Sequence, residues 1–282
     1  MIERIAVVGA GTMGHGISAV AAMAGAHVAL ADEDPVAPAA ALIRIGATLD
    51  QAIERGKLRA EDRAGTLGRV RPAGGLADAV HDAGLVIEAI PERLDLKQAL
   101  FRELERHAPA DAILATNTSS LSVTSIAEAV TTPGRVLGMH FFNPVPAMKL
   151  VEIVRGQDTS EATITTARAI AEWLGKTPIV VRDSPGFATS RLGVVLGLEA
   201  IRMLEQGVAS AADIDRAMEL GYNHPMGPLR LGDLVGLDVR LAIADHLHAT
   251  LGGDTYAAPD LLRRMVAEGR LGRKTGEGFY RW

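Results

Sequence analysis

The stretch "RIAVVGAGTMGHGISAVAAMAGAHVALADED" (Arg4–Asp34) decides the fold. An apolar run, Ile5–Val8, reads as a buried strand and enters the turn Gly9-Ala10-Gly11-Thr12-Met13-Gly14, a G-x-G-x-x-G pattern. A helix of small apolar residues follows to about Gly25, and a second strand, Val28–Ala31, ends on Asp32. Strand, glycine turn, helix, strand and acid come in the order that a dinucleotide site requires. Gly9 permits the tight turn, Gly11 lets a pyrophosphate approach the backbone, and Gly14 lets helix and strand pack closely. The helix N-terminus, at Thr12 and Met13, offers N–H groups and partial positive charge to the phosphates. Asp32 is placed to accept hydrogen bonds from both ribose hydroxyls. A 2′-phosphate would meet Asp32, Glu33 and Asp34, with no Arg or Lys before Arg44, so NAD is expected over NADP.

Outward from this stretch, apolar runs of strand length alternate with helical spacing as far as residue 183. Residues 35–68 read as helical, "GLVIEAI" (84–90) as a strand and "ERLDLKQALFRELERHA" (92–108) as a helix. "AILATNTSS" (112–120) reads as strand then loop, and "RVLGMHFF" (135–142), "KLVEIV" (149–154) and "TPIVVRD" (177–183) as further strands. This alternation predicts an α/β, Rossmann-type, doubly wound and mostly parallel sheet over residues 1–183. Beyond Ser184-Pro185-Gly186 the spacing is helical, with segments near 191–207, 211–220, 229–250 and 259–269. A second, all-helical domain is expected over 184–282. Its first helix is apolar on most of its circumference, which calls for burial by a second subunit or by the first domain.

Composition narrows the function classes. The net charge of −5 argues against general nucleic-acid binding, and the absence of cysteine excludes disulfides and thiolate metal sites. No metal is expected. The N-terminus lacks a basic signal region and the Ala-rich first helix is too short to span a bilayer, so a cytoplasmic protein without a membrane partner is expected.

Among eight histidines, His140 stands out. It closes a strand and opens the proline-stiffened loop "FFNPVP" (141–146), and ligands of open parallel sheets bind beyond the carboxyl ends of strands. Glu152 interrupts the apolar run Leu150–Val154, and a buried carboxylate needs a partner. A hairpin-like return through "NPVPAMK" would set Glu152 beside His140, fix the imidazole tautomer and stabilise its protonated form, making His140 a candidate general base. The polar "TNTSSL" (116–121) either caps the next helix or holds a substrate oxygen.

These motifs together resemble the (S)-3-hydroxyacyl-CoA dehydrogenase family. The resemblance rests on residues 7–18, "EAIPERLDLK" (88–97), "TNTSSL", "GMHFFNPVPAMKLVEIV" (138–154), "DSPGF" (183–187), "HPMGPLRLGDLVGLD" (224–238) and "GRKTGEGFY" (272–280). It implies NAD-dependent, reversible oxidation of an (S)-3-hydroxyacyl-CoA to the 3-oxoacyl-CoA, by an enzyme whose helical domain lines the substrate cleft and forms a homodimer. His140 matches the family's catalytic base, Glu152 its acidic partner, Ser119 a serine on the substrate oxygen, and Asn143 an asparagine touching cofactor and substrate. Asp32, Glu92, Lys97 and Lys274 match cofactor-proximal residues. Ser190 departs from the family, which usually has Asn at that substrate-binding position. Lys57, Arg59 and Arg63 are candidate cations for the phosphates of CoA, with a solvated helical face as the alternative. Two other readings stay open: a sugar-acid dehydrogenase of the gulonate type, and a catalytically weak, crystallin-like NAD-binding protein.

Overall fold

The computed structural model describes residues 2–282. They form two compact units that part at Ser184/Pro185. The first holds eight strands: β1 (Arg4–Val8), β2 (His27–Ala31), β3 (Val70–Pro72), β4 (Leu85–Glu88), β5 (Ile113–Thr116), β6 (Val136–Phe141), β7 (Leu150–Arg155) and β8 (Thr177–Arg182). Their order in one sheet is 3-2-1-4-5-6-7-8. All pairings are parallel except β6 with β7. The helices of this unit are α1 (Thr12–Met23), α2 (Ala37–Glu54), α3 (Arg63–Gly68), α4 (Leu76–Val80), α5 (Leu94–His107), α6 (Val123–Ala127) and α7 (Glu161–Trp173).

The direction reversal of the strand order lies between β1 and β4, the switch point at which doubly wound sheets open a crevice. The central strands β1, β4 and β5 are buried along nearly their whole length, as strands covered on both faces must be. Because β1, β2, β4, β5 and β6 run parallel, their carboxyl ends share one edge of the sheet. Gly9, Asp32, Glu88, Thr116 and His140 all fall at that edge. The antiparallel return of β7 sets Glu152 directly opposite His140 in the register.

One expectation for this unit needs refinement. The region 35–68 is broken at Arg55–Arg59, where Gly56 takes φ +67°, a conformation that ends α2. The three-residue edge strand β3 and the short α4 then follow, neither carrying an apolar run long enough to register as periodicity.

The second unit comprises α8 (Thr189–Glu205), α9 (Ala211–Gly221), α10 (Pro228–Val235), α11 (Leu237–Leu251) and α12 (Asp260–Ala267). The expected helix at 229–250 is two helices, because Gly236 at φ +104° turns the chain between them. α8, the helix expected to be buried by a second subunit or by the first domain, buries Val194, Leu198 and Ile201 within the chain and leaves Leu192 68% exposed. Among the described residues no helix is long and apolar enough to cross a membrane.

Candidate active site

The glycine turn has the shape its sequence implies. A Cβ on Gly9 would lie 2.5 Å from the Ala89 carbonyl oxygen, and one on Gly14 only 1.7 Å from that of Gly9. One on Gly11 would meet nothing within 4 Å. Gly9 and Gly14 are thus required by packing, while Gly11 faces open space at the start of α1, where no side chain caps the helix. That is a cradle for an anion that approaches backbone N–H groups, and it fits the pyrophosphate of a dinucleotide. Asp32 fixes the turn from the next strand: its Oδ2 accepts the Ala10 N–H at 2.6 Å and its Oδ1 the Asp34 N–H at 3.0 Å. Carboxylate oxygens have lone pairs beyond these, so ribose hydroxyls fit alongside.

Three strands along the same edge, His140 is 6% exposed and Glu152 is fully buried. His140 Nδ1 lies 2.8 Å from Glu152 Oε2. The Phe142 ring packs on the imidazole, its centroid 4.4 Å away and tilted by 48°. Asn117 stitches this strand to its neighbours: its N–H donates to Glu88 O at 2.8 Å, and its Oδ1 accepts the Phe141 N–H at 2.8 Å.

The "TNTSSL" loop is organised by one carboxylate. Glu92 Oε1 accepts Thr118 Oγ1–H at 2.6 Å, Ser119 N–H at 2.9 Å and Ser120 N–H at 3.1 Å, and Ser119 Oγ lies 3.3 Å away. Burial pushes the Glu92 carboxyl up, but the Thr118 hydroxyl, the Lys97 charge and the Ser119 and Ser120 donors outweigh it and hold Glu92 below its usual value. A carboxylate depressed on folding contributes stability above its unfolded value of about 4.3 and loses it as pH falls through the folded value. Wild type and Glu92→Gln are therefore expected to differ in melting temperature at neutral pH and to converge only below about pH 4, by calorimetry.

Lys97 itself is fully buried. Its Nζ donates to Glu88 Oε1 at 2.5 Å and lies 3.4 Å from Glu92 Oε2. The lysine expected near the cofactor thus stands behind Glu92 as its support. Glu88, also fully buried, accepts the Ile90 N–H at 2.7 Å and the Thr116 hydroxyl at 2.7 Å. Asn143 is exposed on the loop that follows β6. Asp32, Glu92, Ser119, His140, Asn143 and Glu152 therefore share one unit and one sheet edge, with Lys97 beneath. Ser190, half-buried in the first turn of α8, and Lys274, 2.6 Å from Asp238, belong to the second unit.

A cavity of about 720 Å³ opens beside α1 and the Asn143–Lys149 loop. Its wall carries His15, Arg55, Lys57, Lys149 and Lys176 and no Asp or Glu. Lys176, 8% exposed, donates to Val145 O at 2.5 Å and Met148 O at 2.8 Å, so it also ties down the loop that bears Asn143. Burial, then the nearby Lys57 charge, pulls its ammonium below the usual lysine value. Of the three cations singled out by sequence, only Lys57 lines this cavity. Arg59 pairs with Asp62 and Arg63 with Asp50. Arg55, Lys149 and Lys176 escape a sequence reading because nothing local marks them as facing a common space. Among the described residues no cluster of three metal-ligating side chains is present.

Comparison with known proteins gives a consistent family. The model for the NAD-binding domain of 3-hydroxyacyl-CoA dehydrogenase matches residues 4–184, and that for its C-terminal domain residues 186–282. The chain is 46% identical over 279 residues to a probable 3-hydroxybutyryl-CoA dehydrogenase of Bacillus subtilis, covering 99% of this chain and 97% of that one. It is 41% identical to the human mitochondrial hydroxyacyl-coenzyme A dehydrogenase, covering 100% of this chain and 92% of the relative. The crystal structure of (S)-3-hydroxybutyryl-CoA dehydrogenase from Ralstonia eutropha superposes with a TM-score of 0.95 at 40% identity, covering 100% and 99% of the two chains.

Proposed function

The chain belongs to the 3-hydroxyacyl-CoA dehydrogenase family, and from that membership we propose that it oxidises an (S)-3-hydroxyacyl-CoA, such as 3-hydroxybutyryl-CoA, reversibly to the 3-oxoacyl-CoA with NAD. The observation that carries the reading is the buried His140–Glu152 pair, 2.8 Å apart, at the sheet edge that also holds the glycine cradle. Bound NAD supplies the hydride acceptor. The protein's residues do the rest. Gly9, Gly11, Thr12, Met13 and Gly14 receive the pyrophosphate and Asp32 the adenosine ribose. His140 takes the substrate hydroxyl proton on Nε2, while Glu152 accepts the Nδ1–H, fixes the tautomer and stabilises the imidazolium that forms. Ser119 and Asn143 orient the substrate oxygen, with Glu92 holding Ser119 in place and Lys97 holding Glu92.

The cation-lined cavity supports an acyl-CoA over a sugar acid. A CoA thioester brings several phosphate charges, and a protein of net charge −5 needs a local cluster to receive them. Lys57→Ala is expected to raise KM for acetoacetyl-CoA about fivefold, the scale of one charge-assisted contact, with little change in kcat. Acetoacetyl-pantetheine, which lacks the nucleotide, should show no such rise in steady-state kinetics.

The reading extends to a cytoplasmic homodimer paired through the helical unit, where Leu192, Leu231, Leu234, Val235 and Val239 are 36–68% exposed on α8, α10 and α11. The deciding experiment is NADH-dependent reduction of acetoacetyl-CoA alongside longer 3-oxoacyl-CoAs and a panel of sugar acids. Turnover confined to the sugar acids, or NADH binding without turnover on any substrate, would overturn the proposal.

A further inference from the structure

We propose that Arg44 is a second determinant of cofactor choice: a guanidinium placed to hold a ribose 2′-phosphate, whose pull the Asp32 carboxylate overrides. The inference rests on the reading that Asp32 receives the adenosine ribose. Arg44 reaches from α2 to the glycine turn and donates from Nη2 to the Ala10 carbonyl at 2.7 Å. Asp32 accepts the N–H of the same residue at 2.6 Å. The two opposite charges thus grip one residue of the turn, yet they form no ion pair with each other. Arg44 is exposed, and among the described residues it pairs with no carboxylate and uses a single donor.

An exposed guanidinium with most of its fork uncommitted is the group best shaped for a phosphate, which it binds through two parallel N–H bonds. A nearby Arg is also what lets a dinucleotide fold accept the 2′-phosphate of NADP. Two other acids are close in sequence. Asp34 spends Oδ1 on the Val36 N–H at 3.0 Å, and Glu33 is exposed. Asp32 is the one bonded to the turn itself, so it sets the repulsion that a 2′-phosphate meets. Selection for NAD then reflects a balance between one carboxylate and one guanidinium beside Ala10.

The test is a set of equilibrium titrations of NADH and NADPH, read by nicotinamide fluorescence, on Asp32→Ser, Arg44→Gln and the double variant. Asp32→Ser should weaken NADH about tenfold and tighten NADPH about tenfold, each a change of one charged contact. Adding Arg44→Gln should abolish the NADPH gain. Arg44→Gln alone should weaken NADPH more than NADH. An NADPH gain that survives in the double variant, or equal losses of both cofactors in Arg44→Gln, would overturn the proposal. Unchanged NADH affinity in Asp32→Ser would instead refute the ribose assignment, a separate failure. If Asp32→Ser does not fold, Asp32→Asn carries the same comparison, since it removes the charge and keeps an acceptor for the turn.

Discussion

Replacing His140 with asparagine is expected to lower turnover of acetoacetyl-CoA by at least about a hundredfold, because a positioned acid–base group contributes on the order of 10²–10⁴ in rate. Asparagine is the informative substitution. Its amide N–H can occupy the position of imidazole Nδ1 and keep donating to Glu152, which is fully buried and 2.8 Å from that nitrogen. Alanine would leave the Glu152 carboxylate without this donor and mix a folding cost into the kinetics. The asparagine side chain has no group that accepts a proton near neutral pH, so it removes the base and little else. NADH affinity, measured by fluorescence, should stay within about threefold of wild type, since the glycine cradle and Asp32, the proposed cofactor contacts, are left unchanged. The surviving rate measures what positioning alone supplies. A His140→Asn enzyme that turns over within about threefold of wild type would remove His140 from the mechanism.

The elements that a sequence reader can place are those whose signal is local. The glycine turn, the alternation of strands and helices, and the acid that interrupts Leu150–Val154 are all visible within short windows. So is the tight return that brings Glu152 opposite His140, because one loop separates the two strands. The misreadings concern context. Gly236 splits a helix whose apolar spacing runs on through it. Lys176 and Arg44 look like ordinary surface cations, and only the packed chain brings the first against two carbonyls of a distant loop and the second against Ala10. Glu88 ends an apolar strand much as Glu152 interrupts one, and the same rule, that a buried carboxylate needs a donor, would have singled it out.

That buried pair sets the largest expected loss of stability. Lys97→Met should destabilise the protein by about 3–5 kcal/mol, the cost of leaving one member of a buried ion pair uncompensated. Methionine matches the lysine stem in length and apolar character, so packing around α5 changes little while Glu88 loses its cation. Both partners are fully buried, with Nζ 2.5 Å from Oε1, and solvent cannot take the place of the ammonium. Glu88 keeps the Ile90 N–H and the Thr116 hydroxyl, but both of these donors are neutral. The melting temperature should fall by roughly 10 °C in differential scanning calorimetry. Adding Glu88→Gln removes the uncompensated buried charge and should recover part of the loss. NADH affinity should fall in Lys97→Met as well, since Glu92, 3.4 Å from Nζ, loses the charge that helps hold it against Thr118, Ser119 and Ser120. A melting temperature within about 2 °C of wild type would show that Glu88 finds another way to satisfy its charge, and that the cofactor loop does not depend on a cation at this position.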